Sequence, residues 1–165
     1  MSEVLPALVT VRDGLPVTIR GYESGDRARL EAFYDSFEPK RAAQGLPPSG
    51  ADRVERWLDA VLPTGIHLLA EVEGRLIGHG LLCPMEEGVV EYAVWLHQDF
   101  RSRGIGTAVN RIAVEAAREA GFRRIWLSVE PGNRAALRSY SRAGFRMVPG
   151  TVFSLEAEMV LDLEE

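Results

Sequence analysis

Seven consecutive residues, Arg101-Ser102-Arg103-Gly104-Ile105-Gly106-Thr107, combine two arginines with glycines at alternate positions. Such glycines let a chain turn sharply and bring its backbone against a ligand with no β-carbon in the way. An apolar periodicity begins at once after them, so this stretch opens a helix. The first amides of a helix lack internal partners. With the helix dipole they make a site for an anion, most often a phosphate, and Arg101 and Arg103 add positive charge beside it. A second oddity is Glu91, a carboxylate inside the otherwise apolar run 89–96. A charge there is costly unless it is paired or faces a cavity. Metal chemistry finds no support. One cysteine, Cys83, excludes an internal disulfide and a cysteine-clustered zinc site. His67, His79 and His97 lack the helical i, i+4 pairing of a zinc motif.

The elements that position these residues follow from periodicity. Residues 8–11 and 16–20 flank Arg12-Asp13-Gly14-Leu15 and read as a hairpin. A helix capped by Ser24 places Leu30, Phe33, Tyr34 and Phe37 on one face and stops before Pro39. Residues 39–50 are a loop, read either as a connector or as a substrate-facing lid. A second helix carries Val54, Trp57, Leu58 and Val61 on one face and ends at Pro63. Strands at 67–72 and 75–83 join through Glu73-Gly74, and a third at 89–96 is expected to be covered on both faces. The helix after Gly104 presents Val109, Ile112, Ala113, Ala116, Ala117 and Ala120 on one face. Its polar face carries Asn110, Arg111, Glu115, Arg118 and Glu119. A strand at 125–129, a helix capped by Asn133, and closing strands at 145–148 and 156–163 complete the chain. This is a mixed α/β sandwich with helices on both sides of a sheet.

That order, with R-x-x-G-x-G opening the central helix, resembles the GNAT superfamily of acyl-CoA-dependent N-acetyltransferases. Asn133-x-x-Ala136-x-x-x-Tyr140-x-x-x-Gly144-Phe145 is similar to the family's late helix, and the terminal strand ending Met159-Val160-Leu161 adds a weaker match. The implied architecture is a mostly antiparallel central sheet with helices on both faces and a splayed strand pair that holds acetyl-CoA. A Rossmann site is disfavoured because Val109 stands where a third Gly or Ala is needed, and no Gly-Lys-Ser/Thr marks a P-loop.

By this resemblance, amides of Ser102, Arg103, Gly104, Ile105, Gly106 and Thr107, beside Arg101, hold the pyrophosphate. Main-chain groups of Val94, Trp95 and Leu96 bond the pantetheine arm as an added strand would. A bulge near these residues opens the gap, and the Trp95 side chain is a core aromatic. Asn133 caps its helix and touches the pantetheine. Tyr140 protonates the departing thiolate. Glu91 takes the amine proton, with Glu130 as second candidate; Glu86, Glu87 and His97 are solvated, and Cys83 is a small buried residue. The opening Val11-Arg12-Asp13-Gly14, then Val17-Thr18-Ile19-Arg20, more weakly resembles bacterial protein-lysine acetyltransferase domains. The loop after Phe37 departs from that subgroup.

The expected activity is direct acetyl transfer to a primary amine of a small molecule or a protein lysine, in a ternary complex. A non-catalytic acyl-CoA sensor and a peptide α-amine acetyltransferase are the alternatives. One hundred and sixty-five residues suit one domain, 1–165, whose first 16 residues form an extension able to add a hairpin strand. The net charge of −5 argues against nucleic acid. The chain shows neither a signal peptide nor an apolar run of membrane-spanning length, so the cytoplasm is the expected location. Homodimers are common in that superfamily, and no stretch marks an interface.

Overall fold

A computed structural model of the chain describes residues 2–40, 46–151 and 153–163. Its strands are β1 Ala7–Thr10, β2 Pro16–Gly21, β3 Ile66–Val72, β4 Arg75–Pro84, β5 Val89–Leu96, β6 Arg124–Val129, β7 Arg146–Met147 and β8 Ala157–Asp162. Its helices are α1 Arg27–Ser36, α2 Ala51–Val61, α3 Ile105–Glu119 and α4 Arg134–Arg142. The strands form one sheet in the order β1-β2-β3-β4-β5-β6-β8-β7. Every neighbouring pair is antiparallel except β5 with β6.

Local chemistry explains the connections. Glu73 and Gly74 take φ of 51° and 78°, the double left-handed turn that matches the twist of two antiparallel strands. Asp13 and Gly14 do the same work between β1 and β2 at 67° and 74°. The start of α1 differs from expectation. A 3-10 turn, Ser24–Asp26, precedes the helix, and the Asp26 carboxylate accepts the Glu23 N–H at 2.8 Å. Arg20 on β2 grips the same carboxylate through two nitrogens, at 2.7 and 2.8 Å, and holds it well below the usual carboxylate range. A fixed acid with an arginine behind it therefore caps this turn, and Ser24 does not.

Alternation of side chains along the strands splits the interior into two layers. Val17, Ile19, Leu68, Val90, Tyr92, Ile125 and Leu127 meet α3 and α4. Leu69, Leu81 and Trp95 meet α1 and α2 through Leu30, Phe33, Tyr34, Val54 and Leu58. The strand β5 is thus covered on both faces, as its apolar sequence implies.

The junction of β5 and β6 is short. Only Val89, Val90 and Glu91 pair with Arg124, Ile125 and Trp126. From Tyr92 onward β5 stays with β4, in unbroken register from Pro84↔Val90 to Gly78↔Leu96. Meanwhile β6 stays with β8 over its whole length. Two strands held on their outer edges and touching at one end diverge as the sheet twists. Divergence opens the gap here. The expected bulge in β5 is absent from that register, and the register shift lies between Ala70 and Glu71 in the β3–β4 pair.

Candidate active site

The gap leaves β5 unpaired with β6 along residues 92–96, which include Val94, Trp95 and Leu96. Trp95 is 9% exposed and packs in an aromatic cluster with Tyr34, Trp57 and His79. Its side chain is structural, and its backbone lies along the gap.

The loop 101–104 ends the gap. Gly104 sits in the left-handed region at φ 87°, as the residue before α3. Its carbonyl accepts the Ala108 N–H at 3.2 Å, so the helix is wound from its first turn. The fully buried Ile105 side chain anchors that turn. The amides of Ile105, Gly106 and Thr107 precede the first helical hydrogen bond and are the ones a helix leaves unsatisfied. At Gly106 a β-carbon would stand 3.6 Å from Ser139 Oγ on α4. The Thr107 hydroxyl also meets Ser139 Oγ, at 3.1 Å. The side-chain side of this turn therefore faces α4, leaving the backbone to a ligand.

The two arginines differ. Arg101 donates from Nε to the Leu96 carbonyl at 3.0 Å and from Nη2 to the Glu38 carbonyl at 2.6 Å. Its guanidinium also lies 5.2 Å from the centroid of the Phe37 ring, and burial lowers its pKa. It ties the end of β5 to the end of α1, with Nε and Nη2 committed to those carbonyls. Arg103 lies over the Phe100 ring at 5.6 Å and makes no ion pair among the described residues.

Glu91 projects from one face of β5, and Tyr140 packs against the other. Glu91 is half-buried, with Cys83 of β4 and Trp126 of β6 as cross-strand neighbours. Burial, then the negative charge of Glu156, push its carboxyl up. Neighbouring Tyr92 points to the other layer, where Tyr140 packs edge-on against it at 6.3 Å and against Phe145 at 5.9 Å. Tyr140 is 9% exposed, and burial pushes its phenol up to about 12. It therefore keeps its proton at neutral pH. Its hydroxyl makes no hydrogen bond among the described residues. Asn133 caps α4, its Oδ1 accepting the Ala136 N–H at 3.2 Å. Glu130 is exposed beyond the end of β6. Cys83 is half-buried rather than buried. Residues 41–45 of the expected lid lie outside the described residues.

Three polar residues stand where sequence reasoning did not put them. Asn110, expected on the polar face of α3, is 1% exposed. Tyr92 donates its hydroxyl to Asn110 Oδ1 at 2.7 Å, and Asn110 Nδ2 donates to Ser139 Oγ at 2.9 Å. These bonds join β5, α3 and α4, the three elements that frame the site. The signal was present: Asn110, Ala113, Val114 and Ala117 form an i, i+3, i+4, i+7 stripe, all buried. His97, expected in solvent, is 3% exposed against Phe33 and Phe100. His79 is fully buried between Tyr34 Oη at 2.5 Å and His67 Nδ1 at 2.9 Å. His67 Nε2 faces the Val61 and Thr64 carbonyls at 2.8 and 2.9 Å. Burial first, then His67, lower the His79 pKa to about 3. Among the described residues no group of three or more His, Cys, Asp or Glu is arranged to hold a metal ion.

The sheet is splayed at β5–β6, and a glycine-bearing turn enters a helix at the mouth of the gap. The model of the acetyltransferase (GNAT) family matches residues 30–145, and the chain belongs to that family. It is 35% identical over 144 residues to mycothiol acetyltransferase of Thermomonospora curvata, a match covering 83% of this chain and 46% of that protein. The chain thus spans about half the length of that relative. It is 29% identical over 141 residues to L-methionine sulfoximine/L-methionine sulfone acetyltransferase of Pseudomonas paraeruginosa, covering 81% and 82% of the two chains. Among solved structures, the GNAT domain of S. lividans PAT superposes with a TM-score of 0.79 at 21% identity, over 98% of this chain and 99% of that one. That likeness shows the shared fold.

Proposed function

We propose that the chain is an acetyl-CoA-dependent N-acetyltransferase that passes an acetyl group directly to a primary amine in a ternary complex. The observation that carries this reading is the gap itself. An unpaired strand edge runs into a helix N-terminus, with a carboxylate on one face and a protonated phenol on the other. The shape fits acetyl-CoA: the edge at 92–96 matches an amide-bearing arm, and the turn at 102–107 matches a pyrophosphate.

Acetyl-CoA supplies a thioester carbonyl to the acceptor amine. An alkyl ammonium with a pKa near ~10.4 must lose a proton before it attacks. Glu91 receives that proton, directly or through one water, and its raised pKa brings it nearer to neutral, where a base works best. Tyr140 gives its proton to the leaving sulfur. Glu156 beside Glu91 makes the acceptor side negative, which draws in a cationic amine. A small-molecule amine is the preferred acceptor, because both relatives described above are named for small-molecule substrates.

The test is melting temperature with and without acetyl-CoA, followed by thiol release against a panel of amines. Ligand at 100 times its dissociation constant adds about 2.7 kcal/mol of stability. Stabilisation together with amine-dependent thiol release supports the proposal. Stabilisation with no release from any amine, including peptides bearing lysine or a free α-amine, points to an acyl-CoA sensor. Absence of stabilisation removes the reading.

A further inference from the structure

The N-terminal hairpin reaches the anion-binding turn. In the sheet, the β1–β2 turn lies at the same strand end as the start of α3. Thr10 pairs with Pro16, Thr18 with Glu71, Val72 with Arg75, and Gly78 with Leu96 at the end of β5. The contact is direct. A β-carbon on Gly104 would stand 3.7 Å from Nε of Arg12 and 3.9 Å from Cβ of Val11. The guanidinium of Arg12 therefore lies against the residue that opens α3.

The turn holding Arg12 is closed by its own backbone. Val11 N donates to the Leu15 carbonyl at 3.0 Å and Gly14 N to the Val11 carbonyl at 3.1 Å. Arg12 is exposed, and it makes no ion pair or hydrogen bond among the described residues. Arg101 is engaged by two carbonyls and an aromatic ring; the other arginines at this corner are Arg12, exposed, and Arg75 and Arg103, which both lie over the Phe100 ring. The charged neighbour on the same turn is Asp13, which forms no ion pair with Arg12. Arg12, Arg75 and Arg103 and the positive end of a 15-residue helix thus converge where the chain as a whole carries −5. A guanidinium presents a fork of donors that suits phosphate oxygens.

We propose that Arg12 is a phosphate ligand of acetyl-CoA, reaching from the N-terminal hairpin across Gly104 to the phosphates held at the start of α3. The assignment rests on the reading of the site given above. It makes the hairpin part of the cofactor site rather than an ornament on the sheet edge.

The experiment is calorimetric measurement of the acetyl-CoA dissociation constant for the full chain and for its R12Q and R12K variants. R12Q is expected to weaken binding about tenfold, the lower end for a hydrogen bond to a charged group at an exposed position. R12K weakens it less, because the charge is kept and the fork lost. The melting temperature without ligand stays unchanged, since the side chain supports nothing else in the fold. Repeating the titration with CoA lacking its 3′-phosphate identifies the phosphate. A loss on R12Q that persists marks the pyrophosphate, and a loss that disappears marks the 3′-phosphate. Tight binding by the unmodified chain with R12Q within about twofold of it overturns the Arg12 assignment alone. No acetyl-CoA binding by the unmodified chain overturns it together with the proposed function.

Discussion

Replacing Asn110 by alanine should both destabilise the chain and loosen its cofactor site. Asn110 accepts from Tyr92, a residue 3% exposed, at 2.7 Å. With the amide gone, the Tyr92 hydroxyl is buried without a partner, which costs about 1–3 kcal/mol. The lost side-chain volume leaves a small cavity that costs about 1 kcal/mol more. Ser139 keeps its bond to Thr107 and adds little. The sum is about 2–4 kcal/mol, which for a domain of this size lowers the melting temperature by roughly 4–16 °C. Tyr92→Phe leaves Asn110 Oδ1 unpaired and should cost about 1–3 kcal/mol. Because both changes break one bond, the double variant should fall short of the sum by about 1 kcal/mol or more. Urea unfolding of the four proteins measures this directly. A loss below about 0.5 kcal/mol for Asn110→Ala, or strict additivity in the double variant, refutes the role given to the network. In the same proteins the KM for acetyl-CoA should rise, since the network sets α4 against α3 and β5.

Two further outcomes are expected. Glu91→Gln should lower kcat by about 10²-fold or more and Tyr140→Phe by at least about tenfold. In the unmodified chain kcat/KM should fall with pH through a value above the ordinary 4.5 of a glutamate, because Glu91 must be ionised to act; if both variants keep full turnover, neither residue carries a proton. Stability should fall as pH drops from about 6.5 toward 3, by up to about 1.4 kcal/mol per pH unit, because unfolded His79 binds a proton at its ordinary pKa of 6.5 while the folded residue resists until about 3. His97, also lowered by burial, acts in the same direction. Urea titrations at pH 7 and pH 5 should therefore diverge, and His79→Asn should narrow the difference; an unchanged slope in that variant would show that His79 is not the group responsible.

Much of this was legible in the order of residues. The turn into α3 is legible because glycines at 104 and 106 precede an apolar stripe, and the helix starts at Ile105. Glu91 stood out as a charge in an apolar strand. Less visible were facts that depend on which helix faces which layer. Asn110 reads as polar and so as exposed until the packing of α4 is known. That Arg101 also ties the end of β5 to the end of α1 is invisible until the fold brings the Glu38 carbonyl beside it. His67 and His79 carry no helical spacing, since they meet diagonally across β3 and β4, and only strand register reveals their contact. Arg12 is 92 positions from Gly104 in the sequence, a separation that no local pattern bridges.

Three residue pairs hold β5 to β6, whereas each outer edge of that pair is bonded along most of its length. Mechanically the sheet is two plates riveted at one corner: five strands on one side, three on the other. The smaller plate, β6 to β8, can work loose without unravelling the larger, so its amides should exchange with solvent faster than those of β3 and β4. A molecule lying in the wedge, bonded to both plates, acts as a second rivet. Cofactor loading would then be felt as slowed exchange in β6 and β8, far along the strands from any atom the ligand touches.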